Sequence, residues 1–104
     1  MRPRYYRRDG TPYDGANACL DWARDFGGDN RVAFTEVRHA QISTIWLGLD
    51  HNFIGNGPPH IFETMVFHGP RDSEIQRYST EREALDGHDR KVDRVRRAMG
   101  EGQQ

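Results

Sequence analysis

The residues best suited to metal chemistry surround a loop between two apolar stretches of the chain. His51 and His60 bracket this loop, and Glu63 follows three residues after the second histidine. Imidazole nitrogens and carboxylate oxygens are common ligands of zinc and other transition metals. A small metal-dependent enzyme using His51, His60 and Glu63 is therefore one hypothesis. The spacing of the three residues matches no established ligand motif, so the favoured interpretation is a solvated loop, with Glu63 paired to an arginine.

Two other side chains could serve in catalysis. His88 lies on the apolar stripe of the C-terminal segment, where a shifted pKa could suit a general base. A packed histidine bonded to the backbone is the more usual role of such a residue. Cys19 has no activating base near it in the sequence, so we expect a small core residue. Neither residue predicts catalysis.

The N-terminal segment suggests a nucleic-acid site. Single-stranded nucleic acids are bound by cations interleaved with stacking rings, and this segment combines Arg4, Tyr5, Tyr6, Arg7 and Arg8. The net charge of the chain is only -1 at pH 7, so the composition does not favour a polyanionic partner. Nucleic-acid binding is therefore a second alternative.

Length and composition predict one domain over the 104 residues, with a frayed tail at 101–104. A single cysteine excludes an intramolecular disulfide and fits a reducing cytoplasm. No apolar run reaches the roughly 18 residues of a membrane span. The basic N-terminus is not followed by the apolar segment of a signal peptide. We therefore expect a cytoplasmic protein with no membrane contact and no cofactor.

The first third of the chain predicts a hairpin, a helix and a strand. Asp9-Gly10 is a turn signal that places a short hairpin over 4–13. Asp14 is a candidate cap for a helix over 15–26, whose apolar stripe is Cys19, Trp22, Ala23 and Phe26. Residues 31–37 alternate apolar and polar side chains, which is typical of a half-exposed strand.

The rest of the chain predicts three strands and a helix. Apolar strands over 42–49 and 60–67 flank the loop over 50–59, and a short edge strand follows over 74–78. Thr80 and Glu83 match a capping box for the last helix, which Gly100 ends. Its stripe comprises Leu85, His88, Val92, Val95 and Met99. Gly87 within this helix predicts a close approach to the sheet, because a Cβ would block it.

Together these elements predict an α+β fold, in which an antiparallel meander of four to five strands carries two helices on one face. Trp46 and its neighbours are expected on the uncovered face. An apolar open face on a small sheet is a candidate association surface.

Several stretches resemble a family of small uncharacterised proteins from actinobacteria and their phages. They are Thr44 to Phe53, Gly57-Pro58-Pro59 running into Ile61 to Phe67, Arg77 to Glu81, and Ala84 to His88. The similarity covers most of residues 42 to 96, and Arg82 departs from it where an acidic residue is expected. No activity is assigned to that family. The resemblance implies a bacterial or phage cytoplasmic setting and no reaction.

The favoured function is that of a non-enzymatic phage or prophage accessory protein that binds another protein, such as a host or defence protein. Association into a homodimer through the open sheet face is part of this hypothesis. This hypothesis rests on the apolar hairpin and on the lack of residues that together could form a catalytic site. The candidate contact residues are Trp46, His51, Asn52, Phe53 and Glu63.

Overall fold

A four-stranded antiparallel sheet forms the centre of the computed structural model, which describes residues 4–54, 56–70 and 74–100. The elements in chain order are α1 (Ala18–Gly27), β1 (Arg31–Val37), β2 (Ala40–Trp46), β3 (Phe62–Phe67), β4 (Ile75–Tyr78) and α2 (Glu81–Ala98). The strand order is β1-β2-β3-β4, a meander. The predicted α+β fold and meander are confirmed, whereas the predicted tail at 101–104 lies outside the described residues.

The central strand is shorter at its C-terminal end than the sequence predicted. It ends at Trp46 because the next two amides, those of Leu47 and Gly48, both donate to the carbonyl of Ile61, at 2.7 and 3.3 Å. Gly48 then has a φ of 72°, and a Cβ there would collide with the rings of Trp22 and Trp46. The glycine thus lets the chain leave the sheet while two indole rings pack against its backbone.

Helix α2 packs across one face of the sheet and contacts all four strands. It begins at the predicted capping box, in which the Thr80 hydroxyl accepts from the Glu83 amide and the Glu83 carboxylate accepts from the Thr80 amide. The predicted close approach at Gly87 is confirmed, because a Cβ there would overlap the ring of Tyr78. The prediction that Leu85 belongs to the buried stripe was wrong, because Leu85 is exposed. Lys91, which was not part of the predicted stripe, is buried and forms an ion pair with Glu74.

Helix α1 lies against the same face, at the Trp46 end of the sheet. The ring of Phe26 is 6.2 Å from that of Trp46, and the indole N–H of Trp22 donates to the Leu47 carbonyl at 2.8 Å. Several predictions for α1 were wrong. The helix begins at Ala18 rather than at residue 15, and its N-cap is Asn17 rather than Asp14, with no side-chain capping bond. Cys19 and Ala23 are exposed, because the side of the helix that packs against the core carries the partly buried Ala18, Trp22 and Phe26.

The predicted N-terminal hairpin turns at Gly10, which has a φ of 93°. It brings Tyr6 opposite Pro12. It also docks on the main chain beyond β2, where the Tyr6 amide donates to the Gly48 carbonyl at 2.7 Å. The hydroxyl of buried Tyr13 donates to Asp25 of α1 at 2.6 Å. The hairpin therefore completes the core around Trp46 and holds α1 in place.

Candidate functional site

The face of the sheet opposite the helices is left uncovered by the other described elements. Cross-strand partners share a face, so the strand register defines three rows on it. The Arg31 row is Arg31, Ile45, Glu63 and Arg77; the Phe34 row is Phe34, Ser43, Met65 and Ile75; the Glu36 row is Glu36, Gln41 and Phe67. The alternation of the strands thus exposes these side chains on one surface, which we call the open face.

The middle of the open face is apolar. Phe34, Phe67 and Ile75 are 37%, 36% and 45% exposed, and Ile45 and Met65 are half-buried. A depression of about 60 Å³ lies between Ser43, Ile45, Glu63, Met65 and Phe67. Sites for small molecules typically enclose about 300 to 1,000 Å³. The open face is therefore shaped for another surface rather than for a small ligand.

Charged groups lie at the two ends of this apolar area. At one end, Arg77 Nε donates to Glu63 Oε2 at 3.1 Å, as the sequence predicted when it paired Glu63 with an arginine. At the same end, the Arg31 guanidinium lies over the Phe34 ring, 4.5 Å from its centroid. At the other end, Glu36 is exposed and makes no ion pair within the described residues. The open face is thus cationic toward one end of β1 and anionic toward the other.

Trp46 does not belong to this surface, so the prediction that placed it on the uncovered face was wrong. Its side chain points to the helix-covered face and is 2% exposed. Its indole N–H donates to the Tyr6 carbonyl at 3.0 Å. Trp46 is a core residue, held by the N-terminal hairpin and α1.

The loop after β2 is held by its own polar side chains. Asp50 Oδ1 accepts from the amides of Asn52 at 2.8 Å and His60 at 3.0 Å. The side-chain amide of Asn52 donates to the carbonyls of Asn56 at 2.5 Å and Pro58 at 3.0 Å. His51 donates through Nδ1 to the Leu49 carbonyl at 2.7 Å. These side-chain bonds fix the turn of the loop, and the His51 amide closes its base by donating to the His60 carbonyl.

The tip of this loop presents two large apolar side chains to solvent. Phe53 is 81% exposed and Ile54 is 84% exposed. The Phe53 ring rests 5.6 Å from that of His51. Sequence reasoning named Phe53 and missed Ile54, although its position beside Phe53 in a polar loop was a signal for it.

The structure pairs the backbones of two of the proposed metal ligands, since the His51 amide donates to the His60 carbonyl at 2.9 Å, but it does not bring all three ligands together. Glu63 turns to Arg77 on the open face, and His51 is bonded to the backbone of its own loop. Within residues 4–54, 56–70 and 74–100, no group of three or more histidine, cysteine or acidic side chains could hold a metal ion. The metal hypothesis built on His51, His60 and Glu63 therefore has no support in this arrangement.

The aromatic and basic residues of the N-terminal segment are used within the fold. Tyr6 is buried, and the Tyr5 ring packs on Trp22 at 5.2 Å. Arg7 stacks 4.6 Å from the Tyr13 ring centroid, and Arg8 Nε is 3.0 Å from Glu81 Oε1. Arg4 remains exposed. The stacking platform required by the nucleic-acid hypothesis for Arg4, Tyr5, Tyr6, Arg7 and Arg8 is therefore not available.

His88 takes part in a buried hydrogen-bond network between α2 and the sheet. Its Nε2 is 2.9 Å from the Thr35 hydroxyl, and its Nδ1 is 2.7 Å from the Thr44 hydroxyl, which lies 2.5 Å from that of Thr64. Burial lowers the pKa of His88 below its usual value, and the nearby Asp89 opposes this only in part. With both ring nitrogens engaged and 3% exposure, His88 is packed as the sequence favoured, but its partners are threonine hydroxyls rather than the predicted backbone.

Comparisons of the chain with known protein families, with curated proteins and with solved structures find no match. In the part of the chain that the structure describes, no helix has the length and apolar character needed to cross a membrane.

Proposed function

We propose that this chain acts by binding another protein through the open face. The observation that carries the proposal is the apolar area formed by Phe34, Ile45, Met65, Phe67 and Ile75 on a face that no other described element covers. Large contiguous apolar areas on a small soluble domain mark interaction surfaces. The shallow depression at its centre suits the side chains of a protein partner.

The arrangement of the polar side chains supports a binding role over a catalytic one. Glu63 is neutralised by Arg77, and both ring nitrogens of His88 are bonded to threonine hydroxyls. A general base needs a free lone pair within reach of a substrate proton. These two candidate groups instead stabilise the sheet and its contact with α2.

The loop tip adds a second contact that suits a protein partner. Phe53 and Ile54 lie on the loop that leaves the sheet at the Arg31-row end of the open face. Large anchors of this kind carry much of the binding energy in protein interfaces. Because Asn52 and Asp50 hold the loop, binding orders few new residues and costs little conformational entropy.

We further propose that the protein meets its partner inside a bacterial cell. The resemblance to small proteins of actinobacteria and their phages supports an accessory role in a phage or prophage, inside the bacterial cell. A host or defence protein is the partner class that such a setting offers to the exposed loop tip of Phe53 and Ile54.

The proposal can be tested by photocrosslinking in the cells that make the protein. A benzoylphenylalanine at Ser43 lies in the centre of the open face, and one at Asp93 lies on the exposed side of α2. We expect crosslinked species from position 43 and few from position 93. Adding Met65→Thr, which keeps a residue suited to a strand but removes apolar contact, should reduce the yield. Equal yields from both positions would refute the proposal.

A further inference from the structure

We infer that the partner on the open face is a second copy of this chain, packed face to face about a two-fold axis. The axis lies between the two sheets, perpendicular to the strands, and passes through the two Phe34 rows. This inference rests on the proposed function and specifies its partner. It follows from how apolar and charged side chains are distributed over the three rows.

The apolar contact is self-complementary under this axis. A two-fold axis perpendicular to the strands places each strand over the same strand of the partner, running in the opposite direction. The Phe34 row then meets itself, so that Phe34, Met65 and Ile75 each pack near their own symmetry mates. Face-to-face sheets pack about 10 Å apart, with their side chains interdigitated. The three apolar residues of the middle row are thereby covered.

The charges at the two ends of β1 are complementary under the same axis. Rotation brings the Glu36 row of one copy over the Arg31 row of the other, so Glu36 faces the partner's Arg31 twice in the dimer. Among the residues that the structure describes, Glu36 is exposed without an ion pair, and the one contact found for the Arg31 guanidinium is the Phe34 ring. Each group therefore has free hydrogen-bonding capacity for the other.

The charges also disfavour the other symmetric packing of the two faces. A two-fold axis parallel to the strands would place β1 over β4 of the partner. The Arg31 row would then meet itself in reverse, with Arg31 against Arg77. Like charges facing each other across an interface are costly. The pattern of charge thus selects the axis perpendicular to the strands.

The size of the face predicts a weak dimer. Strands lie about 4.8 Å apart with a rise of about 3.3 Å per residue, so four strands of about six residues present on the order of 350 Å² per copy. Stable interfaces bury about 800 Å² per partner. We therefore expect an association that depends on concentration rather than a permanent dimer.

Charge exchange at two residues tests the geometry. In a dimer, Glu36→Arg sets two arginine side chains against each other at each contact, and Arg31→Glu sets two glutamate side chains against each other. Each variant alone should dimerise at least about tenfold more weakly than the natural chain. An equimolar mixture of the two variants should regain affinity, because each of the two contacts in the mixed dimer joins an arginine to a glutamate. The double variant Glu36→Arg with Arg31→Glu also restores opposite charges at both contacts. Sedimentation equilibrium over a range of concentrations measures each sample.

In the mixed dimer, each arginine introduced or retained on one copy faces a glutamate of the other copy, so both contacts join opposite charges. The mixture and the double variant should therefore both associate about as strongly as the natural chain. Recovery in both samples is expected only for the axis perpendicular to the strands, since it alone pairs position 36 of one copy with position 31 of the other.

Asp14→Arg is the matched control, because it makes the same change of charge at an exposed residue away from the sheet. It should leave the dimer unchanged. Circular dichroism of each variant establishes that it is folded; both substituted side chains are exposed, so we expect native spectra.

The outcomes separate this inference from the proposed function. A natural chain that stays monomeric up to about 1 mM, the limit of weak affinity, while Ser43 crosslinks to a different protein, overturns the inference and leaves the proposed function standing. A dimer that the single variants do not weaken, or a mixture that does not recover, also overturns it. No crosslink from Ser43 to any protein overturns both.

Discussion

Gly87 offers a direct test of how closely α2 approaches the sheet. In most helices, replacing an interior glycine by alanine stabilises the protein by about 1 kcal/mol. Here the added methyl would overlap two ring carbons and the hydroxyl oxygen of Tyr78. That ring is only 6% exposed and is paired across the sheet with Phe62, so it has little room to turn away. We therefore expect Gly87→Ala to destabilise the fold.

The magnitude follows from two opposing terms. Overpacking a core costs about 1 to 3 kcal/mol, and an overlap with a confined ring lies toward the upper value. Subtracting the helix-propensity gain leaves a net loss of about 2 kcal/mol. With a urea dependence of about 2 kcal/mol per molar, the unfolding midpoint falls by about 1 M. Tryptophan fluorescence can follow this transition, because Trp46 lies in the core beside Tyr6.

Gly27→Ala is the control for this experiment. Gly27 is the last residue of α1, and no atom lies within 4 Å of the position that its Cβ would take. The urea unfolding midpoint of the Gly27→Ala variant should stay the same or rise slightly. If Gly87→Ala also raises the urea midpoint, α2 does not approach Tyr78 as closely as the structure shows.

Three further predictions concern stability and reactivity. Tyr78→Phe should stabilise the fold by about 1 kcal/mol, because the buried hydroxyl has no hydrogen-bond partner among the described residues; a lower urea midpoint would contradict this. The folded-state pKa of His88 is lowered by burial, so the unfolded chain binds more protons below about pH 6.5, and stability should fall as the pH drops through that value. Urea unfolding at several pH values measures this dependence, which should weaken in the His88→Gln variant. If it persisted in that variant, a group other than His88 would be its cause. Exposed Cys19 should react with a thiol reagent in the native protein nearly as fast as in urea, and strong protection would place it in the core.

Local patterns predicted the elements that depend on neighbouring residues. The predicted bounds 31–37 match those of β1, and the Thr80 capping box begins α2. The predicted alternation is broken by the bulge between Arg31 and Ala33, so that Val32 packs against the core while Phe34 lies on the open face. Gly87 signalled the close approach of the helix because only the absence of a side chain explains a glycine in that helix. In each case the residues that determine the element lie within a few positions of the sequence pattern that predicted it.

The open face was harder to identify because it depends on which side the helices cover. Alternation determines which residues share a face, yet both faces of β2 carry large apolar side chains, Trp46 on one and Ile45 on the other. Only the packing of the helices decides between them. The arginine that pairs with Glu63 likewise depends on the register that places Arg77 across β3 and β4.

The edge strands β1 and β4 determine whether further copies could add to the sheet. Open edges invite further strands and lead to filaments. Here β1 is interrupted by a bulge between Arg31 and Ala33, and β4 has four residues, one of them the charged Arg77. Both features discourage edge-to-edge addition. If the open face pairs with a second copy as we infer, one face lies under the helices and the edges are protected, so association would be complete at two copies and the protein would carry an apolar surface without polymerising.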